Sequence, residues 1–142
     1  MSIRFVFCVL LWVLISCESK PELSRDLKGV GPITSLDLAP INDSLMNFGK
    51  QLFENKCSTC HTMEYKNTGP DISDILGYRH EEWVANFLLN KDEMLQRDSL
   101  TIMTRRKYEI DCGARIDSKE EAFAILEYLR QYQIWLHEFN AL

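Results

Sequence analysis

Apolar residues recur at helical spacing through most of the chain beyond residue 42. A first helix is predicted to begin after the possible cap residues 42–44 and to end near Lys56. The residues that the spacing assigns to its buried face are Leu45, Phe48, Leu52 and Phe53. A second helix is predicted over residues 81–90, with a buried side formed by Trp83, Val84, Phe87 and Leu88. A third, weaker helical pattern covers residues 92–107.

The last predicted helix has the clearest start signal. Ser118 and Glu121 stand at the spacing of a capping box, in which a hydroxyl and a carboxylate satisfy backbone amides at the helix start. The apolar residues that follow at helical spacing are Ala122, Ile125, Leu126, Leu129 and Tyr132. No stretch alternates apolar and polar residues for long enough to predict a strand. The sequence therefore predicts a small all-α domain over residues 42–142, a size at which a covalent or metal staple adds useful stability.

The N-terminal segment has the pattern of an export signal. Arg4 precedes eleven apolar residues, Phe5–Ile15, a run shorter than the roughly 20 needed to span a bilayer. The residues Leu14-Ile15-Ser16-Cys17 resemble the lipobox of bacterial lipoproteins, in which the chain is cut before a cysteine that then carries lipid. The alternative is an ordinary secretory signal with an incidental cysteine. We expect a signal peptide over residues 1–16 and an exported protein that lipid on Cys17 anchors to a bacterial membrane, facing the periplasm.

Residues 17–41 show no helical or strand period. Pro21, Gly29, Gly31, Pro32 and Pro40 interrupt every candidate pattern. We therefore interpret residues 17–41 as a flexible tether that lets the domain move above the membrane surface.

The formal net charge of −5 argues against a nucleic-acid partner. The one basic run, Arg105–Lys107, is too short to follow a phosphate backbone and fits a solvated helix face. An acidic surface instead favours transient docking on a basic patch of a redox protein partner. We expect a monomer.

Two of the five cysteines and one of the three histidines lie together in Cys57-Ser58-Thr59-Cys60-His61. Structural zinc needs four ligands, usually as two pairs, and the chain has no second pair. A thioredoxin-like redox pair belongs in a βαβ pattern, which is missing here. C-x-x-C-H is the signature of covalent haem attachment, in which the two sulfurs bind the porphyrin edge and the imidazole binds the iron. This chemistry accounts for all three residues.

The surrounding residues resemble the class I c-type cytochromes. The resemblance is carried by Gly49-x-x-Leu52-Phe53, the C-x-x-C-H stretch, Thr68-Gly69-Pro70, Trp83 and Ala124-Ile125-x-x-Tyr128-Leu129. It implies one covalently bound haem c, with Cys57 and Cys60 as anchors and His61 as the proximal iron ligand. It also implies that Gly49 lets the first and last helices cross closely, and that a backbone carbonyl beside Pro70 orients the imidazole.

The sixth iron ligand departs from the family pattern, because the chain has no Met-Pro pair. Counting back from Tyr128 by the family's usual spacing leads to Cys112, which has no disulfide partner once Cys8 and Cys17 are assigned to the signal and the lipid. Cys112 is the first candidate, and its thiolate would lower the reduction potential. Met103 is the alternative. The other residues weighed are Met94, His80 and His137.

The resemblance implies an electron-transfer protein and no enzyme: a membrane-tethered monohaem cytochrome that passes single electrons between redox partners. A haem-based sensor or gas-binding module with an exchangeable sixth ligand remains the alternative. A small peroxidase would need an acid-base group such as His80 beside an open iron position. A fixed subunit of a larger oxidoreductase is less compatible with a long tether.

Overall fold

The computed structural model describes residues 28–63, 65, 67–108 and 113–140, and these ranges form six helices without a strand. The helices are α1 Asp43–Lys56, α2 Ile75–Tyr78, α3 Glu81–Leu89, α4 Lys91–Arg97, α5 Ser99–Tyr108 and α6 Lys119–Asn140. The predicted all-α fold is confirmed. Within the described ranges, no helix combines the length and apolarity needed to cross a membrane. The expected signal peptide, Cys17 and Cys112 lie outside the described residues.

Helices α1 and α6 cross at a glycine. A Cβ atom added to Gly49 would lie 1.8 Å from the carbonyl oxygen of Ala124, so only a residue without a side chain allows this approach. The buried residues of α1 are Met46, Gly49, Leu52 and Phe53. Phe48, which the sequence pattern assigned to the buried face, is 40% exposed. That expectation was wrong because the close crossing at Gly49 turns the contact face of α1 toward Met46.

Both helices begin at the predicted caps. The Asn42 side chain accepts a hydrogen bond from the Leu45 amide at 3.0 Å. At the start of α6, the Ser118 hydroxyl accepts from the Glu121 amide at 3.1 Å. The Glu121 carboxylate accepts from the Asp117 amide at 2.9 Å, one residue before the position that a standard capping box would use. Local sequence thus fixes where each of the two crossing helices starts.

The third predicted helix is two helices, α4 and α5, separated at Asp98. The buried Asp98 carboxylate accepts hydrogen bonds from the amide and the hydroxyl of Thr101, each at 2.7 Å, which caps the start of α5. The same carboxylate accepts from the Trp83 indole at 3.2 Å. The break therefore ties α5 to α3, and α5 forms one wall of the cavity described below.

Residues 28–41 form an ordered segment packed on the helices, which we name the N-terminal strap. The buried Asn86 side chain accepts from the Ile33 amide at 2.9 Å and donates to the carbonyls of Lys28 and Ile33 at 2.8 Å each. Farther along, Arg130 of α6 donates to the Ala39 carbonyl at 3.0 Å. The expectation of a flexible tether is therefore wrong for residues 28–41. Prolines and glycines exclude a helix, but they are compatible with an extended segment whose backbone groups form hydrogen bonds with side chains of the helices.

Candidate functional site

The C-x-x-C-H stretch is a tight turn directly after α1. Cys57 caps the helix, and its carbonyl accepts hydrogen bonds from the amides of Cys60 at 3.0 Å and His61 at 2.9 Å. The Gly69 amide donates a hydrogen bond to the Cys60 carbonyl at 2.8 Å, which closes the loop between these two residues. This folding brings the side chains of Cys57, Cys60 and His61 to the wall of one cavity.

The cavity has a volume of about 510 Å³, within the range of sites that enclose an organic cofactor. Its apolar wall combines residues from α1, α2, α3, α4, α6 and the segments between helices: Phe53, Ile72, Ile75, Trp83, Val84, Phe87, Leu88, Leu95, Ile116, Ile125 and Leu129. A large apolar group with polar edges fits such a space. The residues present therefore suit a haem, since two thiols and an imidazole face an apolar chamber.

His61 is held in one tautomer. Its Nδ1 lies 2.9 Å from the Pro70 carbonyl oxygen, and because a carbonyl can only accept, Nδ1 carries the proton. Nε2 is then left with a lone pair that can bind a metal. A Cβ atom on Gly69 would lie 2.7 Å from the imidazole Cε1, so Gly69 leaves the room that the ring occupies. The predicted contact of the Pro70 carbonyl with the His61 imidazole is present, and His61 as the proximal iron ligand stays a prediction.

Basic side chains surround the cavity although the chain is acidic overall. Of the lining residues that the structure describes, the cationic ones are Arg79, Lys91, Arg105, Lys107 and Arg115, against one carboxylate, Asp92. The Arg79 guanidinium lies over the rings of Tyr78 at 5.2 Å and Trp83 at 5.3 Å, which fixes its position at the wall. Burial raises the pKa of the neighbouring Tyr78 above 10.0, so that hydroxyl stays neutral near pH 7.

This basic rim was not predicted from the sequence. The run Arg105–Lys107 has the pattern of a solvated face, and Arg105 and Lys107 are exposed, but both also line the cavity. The spacing of Thr101, Arg105 and Tyr108 on one side of α5 was the available signal.

The candidates for a sixth iron ligand lie in different environments. Met103 is 57% exposed and is not part of the cavity wall. Met94 is fully buried, and its sulfur accepts a hydrogen bond from the Val30 amide of the strap at 2.9 Å, so it belongs to the core. His80 is the residue just before α3, and its Nδ1 lies 3.2 Å from the Glu82 carboxylate. His137 is exposed near the end of α6.

Cys112 itself falls in the interval 109–112 that the structure does not describe. Tyr108, which precedes this interval, and Ala114, the second residue after it, both line the cavity. Among the described residues of the wall, the only cysteine and histidine side chains are those of Cys57, Cys60 and His61, and no methionine lines it. Cys112 as sixth ligand stays a prediction.

Comparisons with known proteins agree on one family. The model of the cytochrome c family matches residues 47–133. A solved cytochrome c from Rhodothermus marinus is 32% identical, with a TM-score of 0.69, and the match covers 73% of this chain and 90% of that one. An engineered cytochrome c from the same organism, Rma TDE, is also 32% identical with a TM-score of 0.69, over 73% of this chain and 91% of that one. No curated protein matches the chain.

Proposed function

This chain belongs to the cytochrome c family, which implies electron transfer through covalent haem c, and from that premise we propose that it is a membrane-tethered monohaem carrier of single electrons between redox partners. One observation supports the proposal above the others. The Pro70 carbonyl holds His61 in the tautomer that can bind iron, on the same cavity wall as Cys57 and Cys60. A carrier needs no further reacting group.

The residues of the cavity would act by holding and shielding the cofactor. Cys57 and Cys60 would bind its edge covalently, and His61 Nε2 would bind its iron. When bound, haem supplies a reversible one-electron couple whose potential depends on axial ligation and burial. The carbonyl of Pro70 raises the basicity of the imidazole by accepting a hydrogen bond from Nδ1, and the apolar residues of α3 and α6 exclude water from the site.

The basic rim indicates the chemistry of the partner. Among the described residues, five cationic side chains line the cavity against one carboxylate, whereas the whole chain has a formal net charge of −5. Attraction between opposite charges on two proteins steers their association, and this attraction weakens as the salt concentration increases. We therefore propose that redox partners dock an acidic surface on this rim, in place of the basic surface expected from net charge alone. A matched test compares the charge reversal Lys107→Glu with Lys50→Glu. Lys50 is exposed on α1 and lies far from Lys107 in the sequence.

The tethering part of the proposal rests on the lipobox-like residues before Cys17. Lipid there would anchor the exported protein to a membrane facing the periplasm. Between Cys17 and the strap, which is ordered from Lys28, the chain has the ten residues 18–27. Ten residues span at most about 36 Å when fully extended, so the domain would stay within about that distance of the lipid.

The test is to make the full chain in a host that matures c-type haem, and to titrate the purified protein potentiometrically. We expect one haem per chain that survives denaturing electrophoresis, and a titration curve for one electron. Replacing both cysteines, Cys57→Ser with Cys60→Ser, should abolish covalent attachment, while Cys112→Ser should leave it intact. A chain without covalent haem, or a double variant that keeps covalent haem, would overturn the proposal. Lipid on Cys17 is checked separately by mass spectrometry of the N-terminal peptide.

The haem-based sensor is kept as a second candidate because no methionine lines the described cavity wall. Such a module needs an iron position that an external ligand can occupy. Carbon monoxide added to the reduced protein separates the two functions. An unchanged spectrum fits a carrier with six ligands, and a rapid shift favours the sensor.

A further inference from the structure

Asp98 is a buried acidic residue directly behind the wall of the haem cavity. It is 6% exposed and is not itself one of the lining residues. Trp83 of α3 and Thr101 of α5 do line the cavity, and both donate hydrogen bonds to the Asp98 carboxylate. A single layer of side chains therefore separates this carboxylate from the space that suits a haem.

The Asp98 carboxylate is held in one position by the helices on either side of it. The Asp98 amide donates to the Met94 carbonyl of α4 at 3.0 Å, and the Asp98 carbonyl accepts from the Ile102 amide of α5 at 2.9 Å. The three side-chain hydrogen bonds all converge on Oδ1. They come from the Trp83 indole at 3.2 Å and from the amide and hydroxyl of Thr101 at 2.7 Å each. The carboxylate thus keeps a constant place relative to the cavity wall.

The groups that bind the Asp98 carboxylate are all uncharged. No lysine or arginine among the residues that the structure describes forms an ion pair with Asp98. Burying a carboxylate beside uncharged partners costs more free energy than burying an uncharged polar side chain there. A serine or an asparagine at this position could also cap α5. The cap therefore does not depend on the negative charge, whose electric field is a separate effect.

We propose that Asp98 lowers the reduction potential of the haem by placing a buried negative charge behind the α3 and α5 walls of the cavity. This inference rests on the proposed electron carrier. Oxidised haem iron carries one more positive charge than reduced iron, so a nearby negative charge stabilises the oxidised form. Water and salt screen a buried charge much less than an exposed one. Asp98 is therefore a determinant of the potential that does not bind the iron.

The test is a potentiometric titration of the full haem-bearing chain with Asp98→Asn. Because all three donors use Oδ1, an asparagine whose amide oxygen takes that place keeps the hydrogen bonds and loses only the charge. Asp92→Asn is the matched control, since Asp92 also borders the cavity but is exposed. We expect Asp98→Asn to raise the midpoint potential. The rise should persist from about 0.01 M to about 1 M salt, over which the Debye length falls from about 30 Å to about 3 Å. At the higher salt concentration it should exceed the shift caused by Asp92→Asn.

The direction of the shift separates the charge of Asp98 from a merely structural role. If the substitution loosened the cavity wall, water would enter and stabilise the more highly charged oxidised iron, so the potential would fall. Loss of a negative charge raises it instead. The ferric spectrum of Asp98→Asn should match that of the parent protein, because no axial ligand has changed.

The outcomes also separate this inference from the proposed function. A parent chain without covalent haem overturns both. If the parent carries haem and Asp98→Asn leaves its potential unchanged or lowers it, the inference fails and the electron carrier remains; a rise that high salt removes has the same meaning. If Asp98→Asn does not bind haem, Asp98→Ser takes its place, because serine keeps a capping oxygen without a charge. Loss of haem in both variants would assign Asp98 to folding alone and overturn the inference.

Discussion

Replacing Gly49 with alanine tests the crossing that holds α1 on α6. The added Cβ atom would lie 1.8 Å from the carbonyl oxygen of Ala124 and 2.3 Å from its carbonyl carbon. Carbon and oxygen atoms in contact normally stay about 3.3 Å apart. The two helices must therefore separate by about 1.5 Å, because backbone atoms on both sides leave no flexible group to yield. The crossing, and with it the α1 wall of the haem cavity, would open.

Opposing effects determine how much free energy of unfolding Gly49→Ala loses. Alanine in place of glycine favours the helix by about 1 kcal/mol. Overpacking a tight core costs about 1–3 kcal/mol, and more where no side chain can move. Separation also weakens contacts around the ring pair of Phe53 and Tyr128, 5.5 Å apart, because a gap of about 1 Å removes up to half of a dispersion contact. The net expectation is a loss of about 2–4 kcal/mol, which lowers the melting temperature by about 10–25 °C in a domain of this size.

The assay is guanidinium unfolding of the haem-bearing protein, followed by far-ultraviolet circular dichroism. Gly113→Ala is the matched control, because no atom of the described residues lies within 4 Å of a Cβ atom at that position. We expect the control to stay within about 0.5 kcal/mol of the parent protein. If Gly49→Ala has the same stability as the control, with an unchanged denaturant slope, the close crossing does not exist in solution and the reasoning fails.

Three further predictions concern the strap, the start of α6 and the sixth ligand. Asn86→Leu should release the strap, cost about 2–4 kcal/mol and expose residues 28–41 to limited proteolysis; an uncut strap would contradict its role. The Asp117 amide, with the Lys56 ammonium, holds the pKa of Glu121 below 4.5, so its stabilisation is present above pH 4.5 and is lost as pH falls through the lowered pKa. Glu121→Gln should therefore flatten that acid-induced loss, measured as unfolding midpoints between pH 7 and 3, and an identical pH profile would disprove the contribution. Met103→Leu should leave the ferric spectrum unchanged because Met103 is exposed outside the cavity wall, whereas Cys112→Ser should change it if the thiolate binds iron.

The sequence was sufficient for features that depend on neighbouring residues. The caps at Asn42 and Ser118, the C-x-x-C-H turn and the helical face of α6 all follow from short spacings. The strap was missed because its order depends on Asn86, whose bond to Ile33 spans 53 residues and has no periodic signal. The basic rim was missed for a similar reason, since residues from separate helices become neighbours only after the core has packed.

The break at Asp98 shows how a buried polar group can defeat a periodic pattern. The apolar spacing continued through residues 92–107, but a carboxylate that accepts from both the Trp83 indole and the Thr101 amide ends one helix and starts the next. Helical period alone contains no information about such a cap.

The two sides of the haem cavity differ in how far apart their residues lie along the chain. Cys57, Cys60 and His61 are close neighbours, and the imidazole meets the Pro70 carbonyl only nine residues away. The opposite side requires α5 and the segment before α6 to reach the same space. Closing a short loop costs little conformational entropy and occurs early in folding, whereas long-range contacts form late. During biogenesis, the attachment half of the site would thus take shape while the opposite half is still open, leaving a path by which the cofactor can enter.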